Sequence, residues 1–195
     1  MTTKRILETS QSAVVDDVRP DGTYLVKLID EGQGTSGTYS RELLESYGDV
    51  FNGVQSFGRH LKEGQEPWER DVKEIAGVIL GETFTKADDD GKLGLYGYYK
   101  PTAEYAPFLE DKDIRSKIGL SIFAEGSYAD NSDEIVEFDR GFPFTSVDLV
   151  IKAGRGGKFA ESAQVSGDIE PSVDKKEGKD APVELTIEDI KSALA

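Results

Sequence analysis

The chain has a single histidine, His60, and no cysteine. Those two counts settle much of its possible chemistry. Disulfides, thiolate metal sites and cysteine nucleophiles are excluded. A metal site or catalytic set that needs two imidazoles from one chain is excluded as well. An imidazole exchanges its proton near neutral pH, so a lone one can serve as general base toward a hydroxyl, an amine or a water. His60 ends an apolar-aromatic stretch containing Phe51, Val54 and Phe57, and a polar loop over 62–69 follows it. A purely structural histidine is the other reading of that position.

The best partner for such a base is Ser121, inside Lys117-Ile118-Gly119-Leu120-Ser121-Ile122-Phe123-Ala124. A serine within an apolar strand faces the interior or a cleft, and its hydroxyl needs a hydrogen-bond partner. It is either a nucleophile or a core serine bonded to backbone. Its flanks are not the Gly-x-Ser-x-Gly elbow of the α/β-hydrolases. A third group would hold the imidazole tautomer and stabilise its charged form. Asp148, in Phe144-Thr145-Ser146-Val147-Asp148-Leu149-Val150, is the candidate. An acid in a strongly β-forming apolar run is costly unless paired. Ser146 shares its face, because strand side chains alternate. On a solvated face Asp148 would be ordinary.

The loop Ala153-Gly154-Arg155-Gly156-Gly157-Lys158 can hold an anion on its backbone N–H groups. Beside a nucleophile, Gly154, Arg155, Gly156 and Gly157 would make an oxyanion site. It is not a phosphate-binding P-loop: Lys152 stands where the first glycine should be, and Phe159 replaces the Ser/Thr. Asp88-Asp89-Asp90-Gly91 lacks the glutamate that closes a calcium loop. Nothing in the sequence calls for a cofactor or a metal.

These residues need strands to position them. Segments 14–18 and 24–29 read as short strands joined by the turn Arg19-Pro20-Asp21-Gly22. A Gly-rich loop over 31–37 leads to a short helix, with Ser40 as cap, Leu43 and Leu44 as apolar face, and Gly48 as stop. Residues 50–60 read as a broken strand, and 74–84 and 93–99 as strands. A helix is expected within 101–114. Strands are expected again at 118–124, 134–138 and 145–151. Seven or eight short strands separated mostly by turns favour a β-rich α+β fold, a closed or partly open antiparallel β-barrel or sandwich flanked by helices.

At 195 residues, the chain fits one domain of ordinary size, expected over 1–160. From 161 to 195, Asp and Glu number 9 against 4 Lys and Arg, and aromatics vanish, so this stretch reads as a flexible acidic tail. Only its end recovers a pattern: Thr186 with Asp189 at capping-box spacing, and Ile187, Ile190 and Leu194 on one face of a short amphipathic helix. The net charge of −15 makes phosphate backbones poor partners. No apolar run approaches the ~20 residues a membrane helix needs. A soluble, intracellular protein that binds neither nucleic acid nor membrane is expected.

Four stretches, taken in order, resemble a family. They are Gly34-Thr35-Ser36-Gly37-Thr38-Tyr39-Ser40-Arg41-Glu42-Leu43-Leu44; His60 with Glu69-Arg70-Asp71 and Ile75-Ala76-Gly77-Val78; Ile118-Gly119-Leu120-Ser121-Ile122; and Ser146-Val147-Asp148-Leu149-Val150 with Ala153-Gly154-Arg155-Gly156-Gly157. Together they resemble the capsid maturation (prohead) proteases of tailed bacteriophages, in the actinophage-like branch. The resemblance implies an assemblin-like fold, a small β-barrel with surrounding helices. It implies a serine endopeptidase with His60 as base and Ser121 as nucleophile, and Asp148 stands where a third member is expected. Herpesvirus relatives use a second histidine, which this chain lacks, and many relatives have His-Pro where this chain has His60-Leu61.

On that resemblance the substrates would be the phage scaffold protein and major capsid protein. The site of action would be the assembling procapsid in the host cytoplasm, with a homodimer as a possible state. The competing expectations are a non-enzymatic scaffold or virion protein that retains the protease-like fold, and a small-molecule or nucleotide binder using the Gly-rich loops.

Overall fold

The computed structural model describes residues 2–10, 14–62 and 64–151. The expected tail over 161–195, the helix expected at its end and the loop 153–158 lie outside the described residues.

The strands are β1 (Thr2–Ser10), β2 (Val14–Val18), β3 (Tyr24–Asp30), β4 (Gly32–Gln33), β5 (Thr38–Tyr39), β6 (Gln55–Phe57), β7 (Ile75–Ala87), β8 (Leu93–Pro101), β9 (Ile118–Tyr128), β10 (Glu134–Phe138) and β11 (Ser146–Ile151). Three short helices join them: α1 (Arg41–Tyr47), α2 (Ala106–Glu110) and α3 (Lys112–Arg115). The expected strands at 14–18, 24–29, 74–84, 93–99, 118–124, 134–138 and 145–151 all form, several of them longer than their apolar runs.

Local chemistry explains the breaks. The Ser40 side chain accepts from Leu43 N–H and starts α1, which buries Leu43 and Leu44. Residues 50–60 give only β6, because a 3-10 turn takes up Gly48–Phe51. The expected helix in 101–114 divides at Asp111. Its backbone ends α2 in an extended conformation, and its carboxylate accepts from Asp113 and Ile114 N–H to start α3.

All eleven strands belong to one mixed sheet, in the order β2–β3–β8–β7–β6–β11–β9–β10–β5–β4. β9 is its centre. β11 pairs with its first half and β10 with its second half, both on one side, while β1 runs antiparallel along the other side. β6–β11 and β5–β10 are parallel pairs.

The expectation of an antiparallel barrel flanked by helices is therefore corrected. The sheet is open, with β2 and β4 at its two ends, and the helices are too few and short to flank it. Turn signals speak only about neighbouring segments, and the parallel pairs and β1 join segments far apart in sequence.

The core lies on one face of β9 and β11, where Leu120, Ile122, Ala124, Val147 and Leu149 pack with Tyr39, Leu43, Leu44, Phe51 and Phe138. β9 is buried over nearly its whole length on both faces, which accounts for its continuous apolar run. The opposite face carries Ser121, Phe123, Ser146 and Asp148.

Candidate active site

Antiparallel pairing sets Asp148 directly across from Ser121 and Ser146 across from Phe123. Directly opposed residues project from the same face of a sheet. The face opposite the core thus presents Ser121 and Asp148 as neighbours, both completely buried. The segment that follows β6 brings His60 and Arg70 onto Asp148.

That segment supplies the partners a buried carboxylate requires. Arg70 binds Asp148 in a bidentate fork: Nη1 donates to Oδ1 at 2.9 Å and Nη2 to Oδ2 at 2.7 Å. Ser146 Oγ donates to Oδ1 at 2.9 Å. His60 Nδ1 lies 3.3 Å from Oδ2. An ionised carboxylate only accepts hydrogen bonds, so this contact assigns the proton of a neutral His60 to Nδ1 and leaves Nε2 bare. Burial alone would push Asp148 up. Hydrogen bonds from Arg70 and His60, and the charge of both partners, hold its carboxyl below the ordinary value of 3.8.

This segment is held at several points. Pro67–Glu69 forms a 3-10 turn closed by a capping box between Glu66 and Glu69. Arg59 donates to the carbonyl of His60 at 3.3 Å and to Glu74 Oε1 through Nε at 3.1 Å, which ties the backbone at His60 to the start of β7. The Arg70 guanidinium stacks over the Phe57 ring at 4.0 Å, and its carbon lies 5.9 Å from the Phe123 ring centre. From Phe123 a ladder of rings runs outward through Phe142 and Phe144 to Trp68, at centroid separations of 5.7, 5.7 and 5.9 Å. Trp68, the chain's only tryptophan, is 64% exposed at the outer end of that ladder.

The structure thus joins His60 to Asp148 and sets Ser121 beside Asp148. Ser121 Oγ donates at 2.8 Å to the backbone carbonyl of Glu8 in β1, the strand beside it in the sheet, and the serine is fully buried rather than open to a cleft. Gly154, Arg155, Gly156 and Gly157 lie outside the described residues.

Sequence reasoning missed Arg70 and the whole of β1. Arg70 had a signal: an acid such as Asp148 inside an apolar strand demands a cation, and Glu69-Arg70-Asp71 was among the stretches that carried the family likeness. Among the described residues, no group of three or more acidic or histidine side chains is placed to hold a metal ion, and no helix is long and apolar enough to cross a membrane. Compared with known proteins, the chain matches no family model, no curated protein and no solved structure.

Proposed function

We propose that the chain is a serine endopeptidase acting on phage scaffold and major capsid protein segments during procapsid maturation. The supporting observation is the constellation itself: one half-buried imidazole held on a buried, ionised aspartate, which stands directly across the sheet from a serine hydroxyl. Asp148 fixes the His60 tautomer and stabilises the imidazolium that forms during reaction. Nε2 of His60 takes the proton of Ser121 Oγ as the oxygen attacks the scissile carbonyl, and returns it to the leaving amine. Water then hydrolyses the acyl-enzyme. Arg70 acts as a positioning residue that keeps the buried Asp148 carboxylate charged and immobile.

The buried serine suits an enzyme that must stay silent until its substrates are assembled around it. Co-expression with the capsid and scaffold proteins, followed by intact mass over time, tests the reading. Truncated products are expected with wild type and are expected to vanish with Ser121→Ala. Full processing by Ser121→Ala would overturn the serine assignment. Procapsids that form with no cleavage by either version would favour a non-enzymatic scaffold or virion protein.

A further inference from the structure

Among the described residues, the two most exposed large apolar side chains stand together on the segment between β6 and β7. Trp68 is 64% exposed and Val72 is 74% exposed. A single apolar residue on a surface is ordinary. These two flank Arg70, whose guanidinium turns inward onto Asp148 and leaves them on the solvent side.

The backbone that presents them is fixed. Glu69 Oε2 accepts from Glu66 N–H at 2.8 Å, and Asp71 Oδ1 accepts from Lys73 N–H at 2.9 Å. The bidentate Arg70–Asp148 pair anchors the middle of the segment, and the Phe144 ring stands behind Trp68 at 5.9 Å. A surface already held in its bound shape loses less freedom on association. A large aromatic side chain on such a surface is the usual anchor of a protein interface.

The charges beside the two apolar side chains select the partner. Glu69 and Asp71 are exposed. Each carboxylate accepts a backbone N–H of its own turn, and neither joins an ion pair among the described residues. The electron-rich face of an indole attracts a cation, and a guanidinium also stacks on it through its plane. An arginine laid on Trp68 rests its apolar stem on the ring and carries its head to the carboxylates. An acidic segment would bring like charge to Glu69 and Asp71. A purely apolar one would bury them unpaired.

We infer that Trp68, Glu69, Asp71 and Val72 form a docking surface for a segment of a partner protein that bears an arginine beside a large apolar residue. Trp68 and the two carboxylates take the arginine, and Val72 takes its apolar neighbour. The surface does not depend on Ser121 as a nucleophile, so the inference stands apart from the endopeptidase reading.

Trp68 is the chain's only tryptophan, so its fluorescence reports on this surface directly. The test titrates the full chain with a short synthetic peptide of alternating leucine and arginine. A saturable change in emission is expected, with none from a leucine–glutamate peptide of the same length. A serine–arginine peptide, which brings nothing apolar to Val72, should bind about tenfold more weakly. Glu69→Gln combined with Asp71→Asn keeps both turn-capping acceptors and removes only the charges. It should raise the Kd of the leucine–arginine peptide about tenfold, as the loss of two exposed ion pairs would. Glu42→Gln combined with Glu45→Gln removes the same charge from exposed positions of α1 and should leave the Kd unchanged. Three results would each overturn the inference: no saturable change with the leucine–arginine peptide, an equal response to the leucine–glutamate peptide, or equal weakening by the two double variants. The last would reduce the effect to the chain's overall charge of −15.

Discussion

Asp148 and Ser121 face one another across the β9–β11 pair, and the imidazole of His60 reaches the same carboxylate from outside the sheet, 3.3 Å from Oδ2. An acid and a serine opposed in this way on a fully buried face cost free energy unless every polar atom is satisfied. The cost is met by Arg70, Ser146 and the Glu8 carbonyl. The site and the stability of this region are therefore coupled through the same side chains.

Arg70→Ala should destabilise the protein strongly. The guanidinium is 7% exposed and its partner 0%, and removing one member of a buried pair typically costs about 3–5 kcal/mol because the other charge is left uncompensated. Urea denaturation followed by circular dichroism measures this directly. A change within about 0.5 kcal/mol, the range of an ordinary surface substitution, would contradict the bidentate geometry.

Asp148→Asn keeps the shape but removes the charge that holds the imidazole. On the triad account, processing should slow by roughly 10⁴-fold, the loss that follows when an imidazole takes the wrong tautomer. Quantifying cleaved scaffold against time for the two proteins checks this. Equal rates would place Asp148 outside the chemistry.

The lowered pKa of Asp148 also fixes the sign of a pH effect. Between its lowered folded value and the ordinary value of 3.8, the unfolded chain binds more protons at this position than the native one, so stability rises with pH there. The contribution is complete above the unfolded value and is lost as pH falls through the folded one. Denaturation midpoints at a series of acidic pH values should therefore drop in wild type. The drop should be smaller in Asp148→Asn.

Gly126→Ala should loosen β1 from the sheet. The added Cβ would meet Ile6 Cδ1 at 2.5 Å and the backbone oxygen of Glu137 at 2.7 Å, and the latter cannot turn aside. Overpacking of this kind costs about 1–3 kcal/mol. Amide exchange within 2–10 should quicken more than in β7 and β8. Uniform protection across the protein would argue against this register.

Parts of this arrangement are written plainly in the sequence. The apolar runs around Ser121 and Asp148 identify β9 and β11, and the cost of an acid in such a run marks Asp148 as paired. The identity of the cation was less legible, because many lysines and arginines could fill that role and only the tertiary course of the 58–74 segment selects Arg70. β1 was not legible as a strand: Thr2-Thr3-Lys4-Arg5 is polar, and Ile6 and Glu8 become interior only because β9 and the Gly34–Tyr39 turn receive them. The open sheet was hidden for a related reason. Parallel pairs such as Ser146↔Gln55 and Ile135↔Tyr39 join strands with no shared turn to announce them.

The central claim is that His60 and Asp148 activate Ser121. The most direct measurement treats procapsids isolated during assembly with a serine-directed fluorophosphonate and maps the adduct by tandem mass spectrometry. The account predicts an adduct on Ser121 in wild type that is lost in His60→Ala. Unmodified Ser121 in procapsids that are actively processing, or labelling that persists without His60, would contradict it.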